Sequence, residues 1–275
     1  MRDLRPYIQD YKNQRDTRII GLEAYKWKAF RHFKENCYKK YNSIGEWVCE
    51  VFLKAENLLS SRYYLPLGIL VDFSSEDGEP GQLQELLKKM LVVDSVPTPQ
   101  VVQDFIDGSK QIMQTMASKG YKDWHERRKL NSYQDVHAVS VYLSMFYPND
   151  FYLYKFSVFK IFADKVGYTI KTRNAVDRLF EYQDFCNIVK EELKKDVDLI
   201  ADYKDWLKSS DYEDDKLCLL TQDFIYAVVR HLNSESTRNI KGGKQRIRNI
   251  EFKLVFLDLI SAERIHVFHH QVPHG

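Results

Sequence analysis

The chain has 275 residues, enough for one large domain or two smaller ones that bury a core without a disulfide framework or a structural metal. Aromatic residues make up 14% of it and charged residues 29%, which excludes an intrinsically disordered chain. The net charge is only +2, and no stretch of about 18 apolar residues occurs, which excludes a transmembrane helix.

The first 120 residues predict a series of helices. Residues 21–41 place aromatic side chains three residues apart, and residues 44–59 repeat a helical spacing of apolar side chains. Thr98 followed by Pro99 is typical of a helix start, because threonine caps the first turn and proline fits its first position. Gly120 is placed to end that helix.

The next segments predict a buried helix followed by a strand. Ser132 and Asp135 form a start similar to a capping box, and the helix over 136–146 is apolar on nearly every side. This pattern indicates the central buried helix of the fold. Residues 151–156, with the sequence FYLYKF, alternate and are rich in aromatics, so they predict a short strand. Ser157 is the expected cap of the helix that follows.

A long acidic helix is expected over 176–208 and another over 214–232. The predicted fold class is therefore mainly α, a helical globular fold with a few short strands. We predict three parts: a helical subdomain at 1–95, a second helical subdomain at 96–232 that contains the strand, and a basic, histidine-rich tail or extension at 233–275.

The cysteine and histidine pattern predicts no metal centre. The four cysteines are scattered without a C-x-x-C pair, which favours small buried residues in a reducing, cytoplasmic location. Four of the eight histidines crowd into 266–274, but no acidic or cysteine partner stands at ligand spacing, so we expect a solvated tail.

Motifs of catalysis are also absent from the sequence. There is no Walker A, G-x-G-x-x-G, H-E-x-x-H or G-x-S-x-G pattern, and Gly242-Gly243-Lys244 lacks the upstream glycine of a phosphate loop. The densest acidic run, DYEDD at 211–215, stands next to a predicted helix start, where acids favour the positive end of the dipole. We therefore predict no catalytic residue and no cofactor. A nuclease would require carboxylates that converge in a pocket.

Three clusters combine cations with aromatic residues, as nucleic-acid-binding sites do for phosphates and bases. The candidates are Lys26, Trp27, Lys28 and Arg31; Arg127, Arg128 and Lys129, just after a tryptophan; and Tyr152, Tyr154 and Lys155. In each cluster the ordinary structural interpretation stays open, since Trp27 has the helical spacing of a core residue and the tyrosines fit a plain strand. A fourth, purely basic stretch at 238–248 contains no aromatic residue.

Several segments together resemble the N-terminal region of McrB-like AAA-type restriction NTPases, the 5-methylcytosine-specific restriction family. They are YKWKAFRHF, NLL…YYLPLGIL, the block from Tyr133 to Tyr168, and DKLCLLTQDFIY. The resemblance covers roughly residues 20–230, and the block from Tyr133 to Tyr168 is its most specific part. It implies a region that chooses the DNA target, placed before a nucleotide-hydrolysing ring motor and served by a separate McrC-like nuclease subunit.

The chain departs from that family in two respects. It contains no Walker motif, so we do not expect it to hydrolyse nucleotide. The sequence from RHLNSESTRNIKGG onward does not resemble what usually follows this region. The resemblance assigns no base-contacting motif, and Tyr152, Tyr154 and Lys155 are candidates by chemistry and position only.

The sequence thus leads to two hypotheses of different classes. The first is a non-catalytic, cytoplasmic recognition module that binds DNA, modified DNA included, beside a McrB-like motor or McrC-like nuclease and away from membranes. The second is a helical scaffold that docks on a motor, nuclease or phage protein without DNA contact. Residues 176–232 support the scaffold, because 14 acidic residues against 8 basic ones suit a basic protein partner.

Overall fold

The computed structural model describes residues 1–59, 64–91, 95–122 and 130–232, and this part of the chain is helical. The expectation of a mainly α fold is confirmed. The helices are α1 Arg5–Gln14, α2 Ile20–Glu23, α3 Tyr25–Asn36, α4 Ile44–Val51, α5 Glu56–Leu59, α6 Pro66–Phe73, α7 Pro80–Met90, α8 Pro99–Ser118, α9 Val136–Phe146, α10 Phe156–Val166, α11 Ala175–Leu193, α12 Val197–Ser210 and α13 Cys218–Arg230. A π-helical turn, Arg15–Ile19, joins α1 to α2. The predicted tail, 233–275, lies outside the described residues.

One of the predicted helix caps is present and two are displaced. The Thr98 hydroxyl accepts a hydrogen bond from the Val101 amide at the start of α8, as predicted. The start predicted at Ser132 is displaced, because the N-cap of α9 is Asp135, whose carboxylate accepts hydrogen bonds from two amides of the first turn. The predicted cap at Ser157 is wrong, because α10 already begins at Phe156 and has no side-chain cap.

The single long helix expected over 176–208 is divided into α11 and α12. The chain leaves the helix after Leu193, and the carboxylate of Asp196 accepts a hydrogen bond from the Leu199 amide, 2.9 Å away, to start α12. Aspartate competes for backbone amides in this way, so it favours a cap over a helix interior. The sequence analysis missed this break because many acidic residues surround Asp196, and their pattern does not show which one caps a helix.

The predicted central helix is confirmed, since every residue of α9 from Ala138 to Met145 is buried. Helices α3, α5, α8 and α11 pack on it. Its Tyr142 is 1% exposed, donates to the side chain of Gln134 at 2.9 Å, and meets the rings of Phe52 and Phe105. Aromatic side chains from both predicted subdomains therefore meet around α9.

Residues Met1–Asn233 form one compact unit. Helices α7 and α8 stand on opposite sides of the predicted boundary at residue 95, and they pack against each other. A Cβ atom at Gly108 of α8 would lie 2.6 Å from the Leu86 side chain of α7, so the glycine permits this close approach. The two segments predicted as subdomains thus belong to the same unit.

The predicted strand over 151–156 is wrong. The segment leads without regular secondary structure into α10, and no β-strand occurs among the described residues. Side chains of the neighbouring helices satisfy its backbone: the Tyr152 amide donates to Gln183 at 2.6 Å, and the Tyr154 amide donates to Ser140 at 3.2 Å. An alternating pattern predicts a strand with one face exposed to solvent. The prediction failed because residues 151–154 are all buried, so both faces of the segment are covered.

No helix in the described ranges is both long and apolar enough to span a bilayer.

Candidate nucleic-acid interface

The first predicted cluster is divided by the helix that carries it. Trp27 of α3 is 2% exposed, and its indole nitrogen donates to the Tyr203 hydroxyl at 2.8 Å. Lys26 is 1% exposed, and its ammonium lies 2.9 Å from a carboxylate oxygen of Asp223 and 3.0 Å from one of Glu23. The prediction that Lys26 and Trp27 contact DNA is therefore wrong, since both lie on the face of α3 that packs into the core.

The buried Lys26 is the centre of a charge network. Burial by itself would lower the pKa of the Lys26 ammonium, but the carboxylates of Asp223 and Glu23 raise it above its ordinary value, so the ammonium remains charged. Asp223 also accepts a hydrogen bond from the Tyr11 hydroxyl at 2.8 Å, and the Tyr226 ring lies 4.6 Å from the ammonium. The network connects α1, α2, α3 and α13.

The other cations of α3 are exposed, but acidic residues face two of them. We call Lys28, Arg31 and Lys34 the α3 edge. The Arg31 guanidinium lies 3.5 Å from the Asp211 carboxylate, and Lys34 forms an ion pair with Glu213. These pairs reduce the positive potential that the sequence alone predicts for this helix.

The predicted tyrosines are also buried. Tyr152 is 1% exposed and its hydroxyl donates to the Asn187 side chain at 2.7 Å, while Tyr154 is 2% exposed and packs on the Tyr182 ring. Burial raises the pKa of Tyr154 to about 12. The prediction that Tyr152 and Tyr154 stack on bases is wrong, because their rings fill the core. Lys155, the next residue, is exposed as predicted.

The second predicted cluster, Arg127, Arg128 and Lys129, lies outside the described residues. Of the ten predicted site residues, the structure therefore places Lys28, Arg31 and Lys155 at the surface. Lys155 stands beside a feature that the sequence analysis missed.

That feature is an exposed aromatic ring with an arginine against it. Phe156, the first residue of α10, is 42% exposed, and the Arg178 guanidinium of α11 lies 4.3 Å from the centre of its ring. Together with Lys160 and the segment 168–172, these two side chains line an open depression of about 330 Å³. We call it the α10–α11 groove.

Two side chains one turn apart on α11 hold the wall of this groove. The Glu181 carboxylate accepts hydrogen bonds from the Thr172 hydroxyl at 2.5 Å, from the amides of Thr172 and Lys171 at 2.9 and 2.8 Å, and from the Tyr168 hydroxyl at 3.1 Å. Arg178 donates to the carbonyl oxygens of Thr172 and Arg173. The segment 168–173 is therefore fixed to α11 on both sides of the stacked arginine.

The charge of Glu181 is part of this arrangement. Burial by itself would raise the pKa of Glu181, but the hydrogen bonds from Thr172 and from the two amides hold that pKa below its ordinary value of 4.5. The carboxylate is thus ionised near neutral pH and accepts four bonds. These four bonds consequently fix the wall of the groove.

The groove is predominantly positive. Lys160 and Arg178 line it together with one carboxylate, Asp164, and Lys155 is exposed next to Phe156. Cations and an accessible ring suit a ligand that carries both phosphates and planar bases. No group of three or more metal-ligating side chains is gathered anywhere in the described ranges.

Of the ten site residues predicted from the sequence, only Lys155 lies beside the α10–α11 groove. The sequence analysis assigned Phe156 to the predicted strand. In the structure it is the first residue of α10, a position at which its ring stays exposed. No local pattern joins Phe156 to Arg178, because 22 positions separate them and the fold alone brings them together.

No family model matches the chain, and neither a curated protein nor a solved structure is similar to it at a significant level. The resemblance to McrB-like proteins thus stays a prediction that depends on the sequence segments quoted above.

Proposed function

We propose that the chain is a non-catalytic recognition module of a McrB-like restriction or phage-defence system and that it binds DNA through the α10–α11 groove. One observation carries the proposal: Phe156 is exposed at the start of α10, with Arg178 against its ring and Lys155 and Lys160 beside it. The resemblance of residues 20–230 to the DNA-choosing region of that family supports the same function.

The chemistry of the groove suits DNA in two ways. The ammonium groups of Lys155 and Lys160 attract phosphates and release the counterions bound to them, which favours binding at low salt. The exposed ring of Phe156 offers an apolar plane, and stacking of an exposed base on such a ring contributes about 1–3 kcal/mol. Arg178 adds a planar cation on the same ring.

The partners follow from the resemblance. A McrB-like motor would move the DNA that this module holds, and a McrC-like nuclease would cut it. The modified cytosines read by that family make methylated DNA the first ligand to compare with unmodified DNA.

A second candidate function is the protein-interaction scaffold. Two large apolar side chains favour it: Val197 at the start of α12 is 73% exposed, and Ile188 of α11 is 48% exposed. Both lie in the acidic segment 176–232, which suits a basic protein partner.

The test is a fluorescence-anisotropy titration with unmodified, methylated and single-stranded DNA at two salt concentrations. The variant Lys155→Ala/Lys160→Ala should weaken binding and reduce the salt dependence by roughly two phosphate contacts. The matched control is Lys194→Ala/Lys195→Ala, which removes the same charge from two lysines that pair with glutamates at the end of α11. Equal binding by both double variants would contradict the groove, and a folded protein that binds no DNA at low salt would favour the scaffold.

A further inference from the structure

The loop between α12 and α13 lies along the exposed edge of α3. We call residues 211–215 the acidic loop, because its side chains include Asp211, Glu213 and Asp215. A carboxylate oxygen of Asp211 lies 3.5 Å from the Arg31 guanidinium, Glu213 pairs with Lys34, and the Tyr212 ring lies 5.2 Å from the Arg31 guanidinium carbon.

Buried hydrogen bonds hold this loop in place. The carboxylate of Asp214, the fourth residue of the loop, accepts from the amides of Leu219 and Leu220 and from the Tyr203 hydroxyl at 2.7 Å. The same hydroxyl accepts from the indole of Trp27, which directly precedes Lys28 on α3. The chain Trp27–Tyr203–Asp214 thus ties the loop to α3 from inside the protein.

The surface carboxylates do not perform this anchoring. The Asp211 side chain is 97% exposed and that of Glu213 is 65% exposed, and exposed ion pairs contribute little to stability. Asp211 also adopts a left-handed backbone conformation with φ of 56°, which an asparagine accepts equally well. The buried bonds of Asp214 thus keep the loop beside α3, and the charges of Asp211 and Glu213 oppose the field of the α3 cations.

We propose that the α3 edge is a second binding face for a phosphodiester backbone and that the acidic loop masks it. This inference rests on the proposed function, since a masked phosphate-binding face has a role only in a protein that meets DNA. The loop carboxylates occupy the positions that phosphates would take, and they confine DNA to the α10–α11 groove.

The spacing of the cations fits such a ligand. Lys28, Arg31 and Lys34 are three residues apart, so they extend over about 9 Å of helix axis. One strand of a B-form duplex places a phosphate about every 3.4 Å along its axis, or roughly three phosphates in that length. Asp211 and Glu213 form ion pairs with two of the three cations, Arg31 and Lys34. Asp215 adds negative charge near Lys34.

The experiment neutralises the exposed carboxylates of the acidic loop and keeps Asp214, which holds the loop in place. The neutral-loop variant is Asp211→Asn/Glu213→Gln/Asp215→Asn, which keeps Asp214 and the size of every side chain. Binding of a fluorescent duplex is measured by anisotropy between 50 and 300 mM salt. Three added phosphate contacts should steepen the slope of log affinity against log salt by about 2.7 and raise the affinity at least tenfold at the lowest salt.

The control variant is Glu76→Gln/Glu85→Gln/Asp104→Asn, which changes the net charge equally on exposed residues of the α6–α7 turn, α7 and α8. A neutral-loop variant that binds no more tightly than this control would overturn the masking.

A third protein adds Lys28→Ala/Arg31→Ala/Lys34→Ala to the neutral-loop variant. Loss of the gained affinity supports the α3 edge, and persistence of the gain overturns it. The proposed function is judged separately, by whether the wild-type protein binds DNA and depends on Lys155 and Lys160. A wild-type protein without DNA affinity would refute that function, while the comparison of the two charge variants would still decide the masking.

Discussion

Helix α3 and the α10–α11 groove contain the same types of residue, which have opposite environments in the fold. Each combines lysine or arginine with an aromatic residue. In α3 the aromatic Trp27 is buried and acids face Arg31 and Lys34. In the groove the aromatic Phe156 is exposed, and no ion pair joins Lys155 or Lys160 to another described residue.

A cluster of cations and aromatic residues indicates a binding site only when its environment in the fold is known. The identity of the residues does not distinguish the two places, but the exposure of the ring and the charge of the facing element do. A ring that fills the core contributes to the stability of the fold, whereas a ring that remains at the surface is available for binding.

The largest effect should come from Lys26. The substitution Lys26→Met removes the ammonium and leaves the carboxylates of Glu23 and Asp223 buried without their cation, which should cost about 3–5 kcal/mol of unfolding free energy. The matched control is Lys28→Met, two residues on and exposed, which should change stability by less than about 0.5 kcal/mol. Urea unfolding measures both, and similar losses would contradict the division of α3 into a core face and a surface edge.

The next comparison pairs Tyr152 with Phe156. Because Tyr152 is 1% exposed, Tyr152→Ala should lower the unfolding free energy by about 3–5 kcal/mol. Phe156→Ala should leave the fold nearly as stable and weaken DNA binding by about 1–3 kcal/mol. Thermal unfolding and anisotropy titration separate the two effects. A folded Phe156→Ala protein with unchanged affinity would remove the ring from the interface.

A smaller effect is expected at the wall of the groove. The pKa of Glu181 is lowered in the folded protein, so its ionised carboxylate stabilises the fold. This stabilisation is fully present above about pH 4.5 and is lost as the pH falls through the folded-state pKa. The amides of Lys171 and Thr172, which donate to Glu181, should lose about fivefold in hydrogen-exchange protection on acidification.

The variant Glu181→Gln should show the lower protection already at neutral pH, with no further loss in acid from this residue. The internal control is the Val176 amide, which donates to the uncharged side chain of Asn174 and should keep its protection. Equal behaviour of the two sets of amides would show that the Glu181 charge does not hold the segment.

The smallest effect is expected at the α3 edge of the wild-type protein. While the acidic loop is charged, Lys28→Ala should weaken DNA binding by less than about 0.5 kcal/mol, compared with a clear loss for Lys160→Ala. Both substitutions remove one exposed charge, so they form a matched pair in one anisotropy experiment. Equal losses would mean that α3 already contacts DNA.

Local patterns predicted those parts of the fold that depend on neighbours in sequence. The apolar character of 136–146 was sufficient to predict the buried helix α9, and Thr98 with Pro99 was sufficient for the start of α8. The segment 151–156 failed because partners from two distant helices, Ser140 and Gln183, satisfy its backbone. No pattern within a few residues contains that information.

The site was less predictable than the fold for the same reason. Lys26 and Lys28 are both lysines in a basic, aromatic helix, and Lys26 is a core residue because it pairs with Glu23 and with Asp223, which lies 197 positions later. The stack of Arg178 on Phe156 likewise depends on how α10 and α11 pack. Chemistry and position made Lys155 a candidate, and the structure places it at the surface, but the ring beside it required the structure.

The long separation between Lys26 and Asp223 also has a consequence for biosynthesis. A ribosome that adds about 5–20 residues per second needs roughly 10–40 s to make the chain between these two residues. During that time α3 has Lys26 and the neighbouring Glu23, but not Asp223, the second carboxylate that compensates the buried charge. The charge network around Lys26 is therefore complete only once α13 has been synthesised.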